Sequence, residues 1–134
     1  MGICRIITAE DDTIAKILIV DGEESVRKPL RILLERRNYT IAEASDGEEA
    51  LNYIRSQPVD LVISDVVMPR KGGIEMTMDI HNQFSTIPMV LMTGKMPTDN
   101  DTVRNLMHRF GASRMLRKPF SKAEFLSAVS QALG

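Results

Sequence analysis

Short apolar runs alternate along this chain with stretches in which apolar residues recur every three or four positions, and the alternation begins at residue 16. A continuous apolar run of four to eight residues indicates a strand buried on both faces, as in a parallel sheet covered by helices. The runs predict five strands, named β1 to β5, over Lys16–Val20, Thr40–Glu43, Val59–Ile63, Pro88–Met92 and Arg114–Arg117.

Apolar residues at helical spacing follow each strand and predict five helices, named α1 to α5. Their apolar stretches are Val26–Leu34, Ala50–Ile54, Ile74–Ile80, Val103–Phe110 and Phe125–Leu133. We expect Pro29 in or near the first turn of α1, where proline is tolerated. Asp46 and Glu49 have capping-box spacing before α2, and Gly111 is expected to cap the end of α4.

Five strands alternating with five helices predict an α/β fold, a doubly wound (βα)5 sandwich around a parallel sheet. We predict the flavodoxin-like strand order 2-1-3-4-5, which places the switch point between β1 and β3. With 134 residues the chain suits one domain, predicted over residues 16–134. Residues 1–15 fall outside the repeat and are predicted to form an extension to which we assign no role.

The charge balance points away from a nucleic-acid or membrane partner. The chain has 17 basic and 18 acidic residues and a net charge of -1, which gives no strong field for polyanions. A single cysteine fits a reducing compartment, and no apolar run is long enough to span a bilayer. We therefore expect a cytoplasmic protein without direct nucleic-acid or membrane contact.

Four polar side chains follow four strands of the predicted sheet: Asp21 after β1, Asp65 after β3, Thr93 after β4 and Lys118 after β5. Ligands of open α/β sheets bind outside the carboxyl ends of the strands, so these groups are expected at one edge. Two neighbouring carboxylates favour a cation, and oxygen ligands favour Mg²⁺. A carboxylate can attack phosphorus, and a hydroxyl and an ammonium can then stabilise the phosphoryl oxygens. Singly, each residue has a structural interpretation; together, they favour a function.

The segments ILIVDGEESVR, ASDGEEAL, DLVISDVVMP, VLMTG and GASRMLRKPF carry a resemblance to a known family. Residues 16–133 resemble the response-regulator receiver domain of two-component signalling, which has a CheY-like fold. The resemblance implies that Asp65 accepts a phosphoryl group from a histidine kinase or phosphotransfer protein. It also implies that Thr93 and Lys118 bind the phosphoryl oxygens and that the Lys118-Pro119 peptide bond is cis.

The same resemblance implies a Mg²⁺ ion held by Asp21, Asp65 and the main-chain carbonyl of Val67. It implies a module with no enzymatic activity beyond phosphoryl transfer to itself and autodephosphorylation. Phosphorylation would switch the face formed by α4, β5 and α5, through which a downstream protein partner docks. We expect a monomer or weak dimer.

Two positions depart from the family pattern. Gly22 stands where receivers of this kind usually carry a second acid that touches the metal, and whether Glu23 or Glu24 replaces it is open. Met115 stands where many receivers carry the Tyr or Phe that swings inward on activation. We therefore predict weaker Mg²⁺ binding and a shallower switch.

Three other functions fit parts of the pattern. A degenerate receiver would bind partners without phosphorylation, and Gly22 favours this reading, whereas Asp65, Thr93 and Lys118 argue against it. A phosphatase of the haloacid-dehalogenase type also uses an Asp nucleophile after β1. It requires a second acid two residues on with a Thr near it, whereas Asp21-Gly22-Glu23 is followed here by Glu24-Ser25, and no cap domain fits. A flavodoxin-like cofactor binder would need a phosphate loop rich in Ser, Thr and Gly after β1, where this chain has DGEES.

Overall fold

A computed structural model of the chain describes residues 15–65, 73–84, 86–94 and 112–134. The strands are β1 Lys16–Val20, β2 Thr40–Ala44, β3 Leu61–Asp65, β4 Met89–Thr93 and β5 Ala112–Arg117. The described helices are α1 Glu24–Glu35, α2 Gly47–Ser56, α3 Gly73–Gln83 and α5 Lys122–Leu133. Helix α4, predicted over Val103–Phe110 with Gly111 as its cap, lies outside the described residues, as do Val67 and residues 1–14.

The sheet has the predicted order, β2-β1-β3-β4-β5, and all four strand pairs are parallel. The strands are also level at their carboxyl ends. Val20 pairs with Ser64, and the last residue of β4, Thr93, pairs with the last residue of β5, Arg117. This register brings to one edge Asp21 and Lys118, which follow β1 and β5, and Asp65 and Thr93, which were predicted to follow β3 and β4 but are their last residues.

Alternate residues of each strand face two separate hydrophobic layers. Ile17 and Ile19 of β1 contribute to the layer covered by α1 and α5, whereas Leu18 and Val20 contribute to the layer covered by α2 and α3. All four side chains are fully buried. Burial on both faces explains the nearly continuous apolar sequence of this strand. It also fixes the position of the loop that begins at Asp21.

Helix α1 departs from the prediction at its proline. Pro29 is the sixth residue of α1 and lies in its second turn, not in or near the first. The missing N–H leaves the carbonyl of Ser25 without its usual helical partner, and Ser25 is exposed, so water can satisfy that group. The proline is therefore tolerated because of its solvent-facing position.

The end of α1 is a Schellman motif built on an asparagine. Asn38 has a φ of 69°, the Tyr39 N–H donates to the Leu34 carbonyl at 3.3 Å, and the Asn38 N–H donates to the Glu35 carbonyl at 3.1 Å. Asparagine tolerates this left-handed conformation better than most residues. The helix therefore reverses directly into β2, and the Thr40 N–H donates to the carbonyl of the buried Ala15 at 3.0 Å.

The caps of the other helices follow from side chains close in sequence. Asp46 accepts from the Glu49 N–H at 2.9 Å, as predicted for α2. Helix α5 begins with a capping box between Ser121 and Glu124 that we did not predict. In α3, Thr77 and Ile80 are buried as expected, and Met76 is buried as well.

Within the described ranges, no helix combines the length and the apolar character needed to cross a bilayer.

Candidate functional site

The structure brings together the side chains of Asp21, Asp65 and Lys118 and places Thr93 at the end of the neighbouring strand. The Lys118 Nζ lies 3.6 Å from Asp65 Oδ2 and 3.8 Å from Asp21 Oδ2. The Lys118 N–H donates to the Thr93 carbonyl at 2.7 Å, which ties the end of β5 to the end of β4. The cis Lys118-Pro119 peptide bond expected from the resemblance is present. Two carboxylates and an ammonium thus meet at this edge, and the main chain of Lys118 ties Thr93 to it.

Asp21 is held firmly at its main chain but only partly at its carboxylate. Its N–H donates to the Ala44 carbonyl at 3.1 Å, and its Oδ1 accepts from the Glu23 N–H at 2.9 Å. Its Oδ2 is buried and accepts no hydrogen bond from the described residues. Burial raises the pKa of Asp21, the Glu23 N–H partly opposes this, and the negative charge of Asp65 adds to it.

The three charged side chains of this edge differ in their exposure to solvent. The side chain of Asp21 is 3% exposed, that of Asp65 is 19% exposed and that of Lys118 is 30% exposed. Asp65 is therefore the carboxylate that an incoming group reaches from solvent, and Asp21 lies beneath it. This difference favours Asp65 over Asp21 as the nucleophile.

Thr93 supplies a second buried atom without a hydrogen-bond partner. It is the last residue of β4 and is buried, and its Oγ1 makes no hydrogen bond within the described structure. Ser64, one residue before Asp65, has a hydroxyl that donates to the Asp65 carbonyl at 2.9 Å. A buried hydroxyl without a partner is costly, so the Thr93 hydroxyl is available for a ligand at this edge.

The chemistry of these donors fits a divalent cation that prefers oxygen. Asp21 Oδ2 is an orphaned buried carboxylate oxygen beside a second carboxylate, and one partly exposed ammonium is shared between the two. No three acidic, histidine or cysteine side chains in the described ranges are grouped so as to hold a metal. The protein therefore offers two carboxylates to Mg²⁺, which commonly keeps several waters.

The position after Asp21 contributes no carboxylate. Gly22, Glu23 and Glu24 are all exposed, and Glu23 is the N-cap residue of α1 without a capping hydrogen bond from its side chain. The charge of Glu23 contributes to the raised pKa of Asp21. Among the described residues, neither glutamate joins the two aspartates in a group of three or more side chains that could hold a metal.

Met115 lies in the middle of β5, opposite Leu91 of β4, and is half-buried. Methionine has no ring and no hydroxyl, so it cannot donate the hydrogen bond that a tyrosine would make. Its flexible side chain fits pockets of several shapes.

Sequence reasoning missed Arg27, which contacts this site from α1. Its Nη1 donates to the Asp21 carbonyl at 2.5 Å, and its Nε donates to Glu43 Oε1 at 3.0 Å. Arg27 ends one of the segments that carry the family resemblance, but its partner Glu43 is 16 positions away. Local spacing gives no signal for such a contact.

Comparison with known proteins identifies one family for this chain. The response regulator receiver domain family matches residues 17–130. The chain is 37% identical over 117 residues to the response regulator GtcR of Aneurinibacillus migulanus, covering 87% of this chain and 47% of that protein. It is 37% identical over 118 residues to the alkaline phosphatase synthesis transcriptional regulatory protein PhoP of Bacillus subtilis, covering 88% of this chain and 48% of PhoP.

A solved structure gives the same result for the fold. The chemotaxis protein CheY4 of Vibrio cholerae superposes with a TM-score of 0.81 at 28% identity, covering 90% of this chain and 99% of that chain. The chain thus spans about half the length of GtcR and PhoP but nearly the whole of CheY4.

Proposed function

Because this chain belongs to the response regulator receiver domain family, we propose that it accepts a phosphoryl group on Asp65. The observation that carries the proposal is the arrangement around Lys118, whose Nζ lies 3.6 Å and 3.8 Å from the Asp65 and Asp21 carboxylates. Two buried oxygens of the predicted site residues, Asp21 Oδ2 and Thr93 Oγ1, have no hydrogen-bond partner in the described structure. This set can bind a cation and a phosphoryl group together.

In the proposed reaction a carboxylate oxygen of Asp65 attacks the phosphorus of a phosphorylated histidine. The P–N bond breaks, its electron pair stays on the imidazole of the donor, and an acyl phosphate forms on Asp65. Lys118 is near enough to exchange its ion pair with the carboxylate for one with a phosphoryl oxygen. The Thr93 hydroxyl donates to another phosphoryl oxygen and gains the partner it lacks.

Mg²⁺ would be held by Asp21 through its Oδ2, by Asp65, and by the main-chain carbonyl of Val67, which the resemblance implies as a ligand. When bound there, the ion would offset negative charge on the transferring oxygens. Lys118 partly neutralises the two carboxylates without it, which limits their repulsion.

The proposal extends to partners and output. Receiver domains interact with histidine kinases and with downstream effectors and are typically signalling modules without enzymatic activity of their own. We propose a histidine kinase or phosphotransfer protein as the donor for this chain and slow autodephosphorylation as the reverse signal. Output would pass through the face of β5, α5 and the predicted α4 to a protein partner, from a monomer or weak dimer in the cytoplasm.

A degenerate receiver, which binds partners without phosphorylation, is the second candidate. The observation in its favour is Gly22, which stands where receivers of this kind usually carry a second acid that touches the metal. Membership of the receiver family leaves the phosphatase and flavodoxin-like alternatives without support.

The deciding experiment is incubation with acetyl phosphate and Mg²⁺ followed by intact mass measurement. We expect one added phosphoryl group on the wild type and none on Asp65→Asn. Asp60→Asn is the matched control, because Asp60 is an exposed acid at the opposite end of β3 and binds the Lys16 N–H. Equal phosphoryl uptake by Asp65→Asn would refute the assignment, and no uptake by the wild type would favour the degenerate receiver.

A further inference from the structure

Arg27 joins three elements through its guanidinium. It extends from the first turns of α1, its Nε donates to Glu43 of β2 at 3.0 Å, and its Nη1 donates to the Asp21 carbonyl at 2.5 Å. The Arg27 side chain is 15% exposed, so these bonds are largely shielded from water. Charge-assisted hydrogen bonds of this kind are stronger than neutral ones.

The Asp21 carbonyl opens the short loop of residues 21–23 that leads into α1, and it accepts the hydrogen bond from Arg27. Gly22 follows at once, is exposed and carries no side chain. The Glu23 N–H donates to Asp21 Oδ1. The orientation of the Asp21 carboxylate is therefore coupled to the conformation of the loop. Glycine adds backbone freedom at this point, and the Arg27 bond opposes that freedom.

Glu43 orients Arg27 for this contact. One of its carboxylate oxygens binds Arg27, and the other accepts from Arg31 Nη1 at 2.5 Å. Partial burial acts to raise the pKa of Glu43, but the hydrogen bonds from Arg31 and Arg27 outweigh it and lower that pKa. Glu43 therefore stays ionised at neutral pH and holds Arg27 in one orientation.

We propose that Arg27, anchored by Glu43, is a positioning residue that sets the direction of the Asp21 carboxylate for cation binding. The inference rests on the proposed function, because it assigns Asp21 to the metal site. It differs from a general stabilising role, since Arg31 binds the same glutamate but does not contact Asp21 in the structure. Partners that orient metal ligands typically change metal affinity about 10- to 100-fold when removed.

The test compares Arg27→Gln with Arg31→Gln in the full chain. Each variant removes one cation from Glu43, but only Arg27→Gln removes the donor to the Asp21 carbonyl. We expect Mg²⁺ affinity, measured by calorimetric titration, to fall about tenfold in Arg27→Gln and to stay within about twofold of wild type in Arg31→Gln. Arg27→Lys should be intermediate, because an ammonium keeps the charge but lacks the rigid planar guanidinium that donates to Glu43 and to the Asp21 carbonyl at once.

A second readout needs no metal. The Glu23 amide, which binds Asp21 Oδ1, should exchange with solvent faster in Arg27→Gln than in Arg31→Gln when both are metal-free. Wild-type affinity and exchange in Arg27→Gln would overturn the inference and leave the proposed function intact. Equal losses in both arginine variants, in step with their thermal stability, would also overturn it. If the wild type bound neither Mg²⁺ nor beryllofluoride, the proposed function and the role of Arg27 would fail together.

Discussion

The ammonium of Lys118 lies 3.6 Å from the carboxylate of Asp65, although strand β4 separates the strands that carry them. At this distance the pair is longer than a hydrogen bond, and both side chains are partly exposed. Such a contact is worth little energy. Lys118 can therefore leave Asp65 for a phosphoryl oxygen at small cost.

Removing the Lys118 ammonium should slow phosphoryl uptake at Asp65 but strengthen Mg²⁺ binding. In Lys118→Gln we expect phosphoryl uptake from acetyl phosphate to slow by about tenfold or more, because a cation at the developing charge is lost. Mg²⁺ should bind about two- to fivefold more tightly, since a competing positive charge is gone. Mass-detected kinetics and calorimetry measure the two effects. Arg117→Gln, an exposed neighbour in β5, is the control, and weaker Mg²⁺ binding by Lys118→Gln would contradict the prediction.

Neutralising Asp21 should stabilise the fold at neutral pH. A pKa raised in the folded state means that ionisation of Asp21 opposes folding as pH rises above its ordinary value of 3.8. We expect Asp21→Asn to raise the free energy of unfolding at pH 7 by about 1 kcal/mol and the melting temperature by about 2–5 °C.

The same advantage of Asp21→Asn should vanish below about pH 3, where the aspartate is protonated in both states. Urea unfolding at pH 7 and pH 3 measures this difference. A loss of stability at pH 7 would show that the ion pair with Lys118 outweighs the burial of Asp21.

Restoring an acid at position 22 should strengthen metal binding. Gly134 is the only described glycine with a positive φ, so the backbone at Gly22 accepts a side chain. We expect Gly22→Asp to tighten Mg²⁺ binding by about 1–3 kcal/mol. Gly22→Asn is the matched control, because it adds the same bulk without the charge. An unchanged or weaker titration would show that another acid already serves, or that the metal is not used.

The switch should be shallow because Met115 replaces an aromatic residue. A methionine fills the same space in several rotamers, so its inward and outward states should differ little in energy. We expect beryllofluoride with Mg²⁺ to move the amide signals of residues 112–118 slightly and along one line between two end states. Met115→Tyr should enlarge the shifts, whereas Met78→Tyr, at an exposed position of α3, should not. Large, saturating shifts in the wild type would contradict this.

The strands were predictable because their burial leaves a continuous signal. Predicted and observed bounds agree for β1 and differ by three residues or fewer for β2 to β5. A strand inside a parallel sheet that is covered on both faces has no polar face. The length of its continuous apolar run therefore predicts the length of the strand. The edge that unites Asp21 with Lys118 then follows from strand order alone, without knowledge of side-chain geometry.

The errors and omissions have a different origin. The placement of Pro29 was wrong because the start of α1 depends on where the Asp21 loop ends, and the Glu23 N–H bound to Asp21 fixes that point. The role of Arg27 was missed because its partners lie in other elements, Asp21 in the loop after β1 and Glu43 in β2. Contacts between elements depend on tertiary structure, which periodicity along one chain does not report.

The neighbouring positions 21 and 22 differ in how strongly the structure restricts the residue that they carry. On one side, Asp21 is buried and held by its neighbours; on the other, Gly22 is exposed and its backbone does not have a positive φ. A change at position 22 can therefore retune the chemistry of the edge while leaving the folding of the domain almost untouched. We therefore expect position 22 to accept single substitutions that change metal binding without compensating changes in the hydrophobic core.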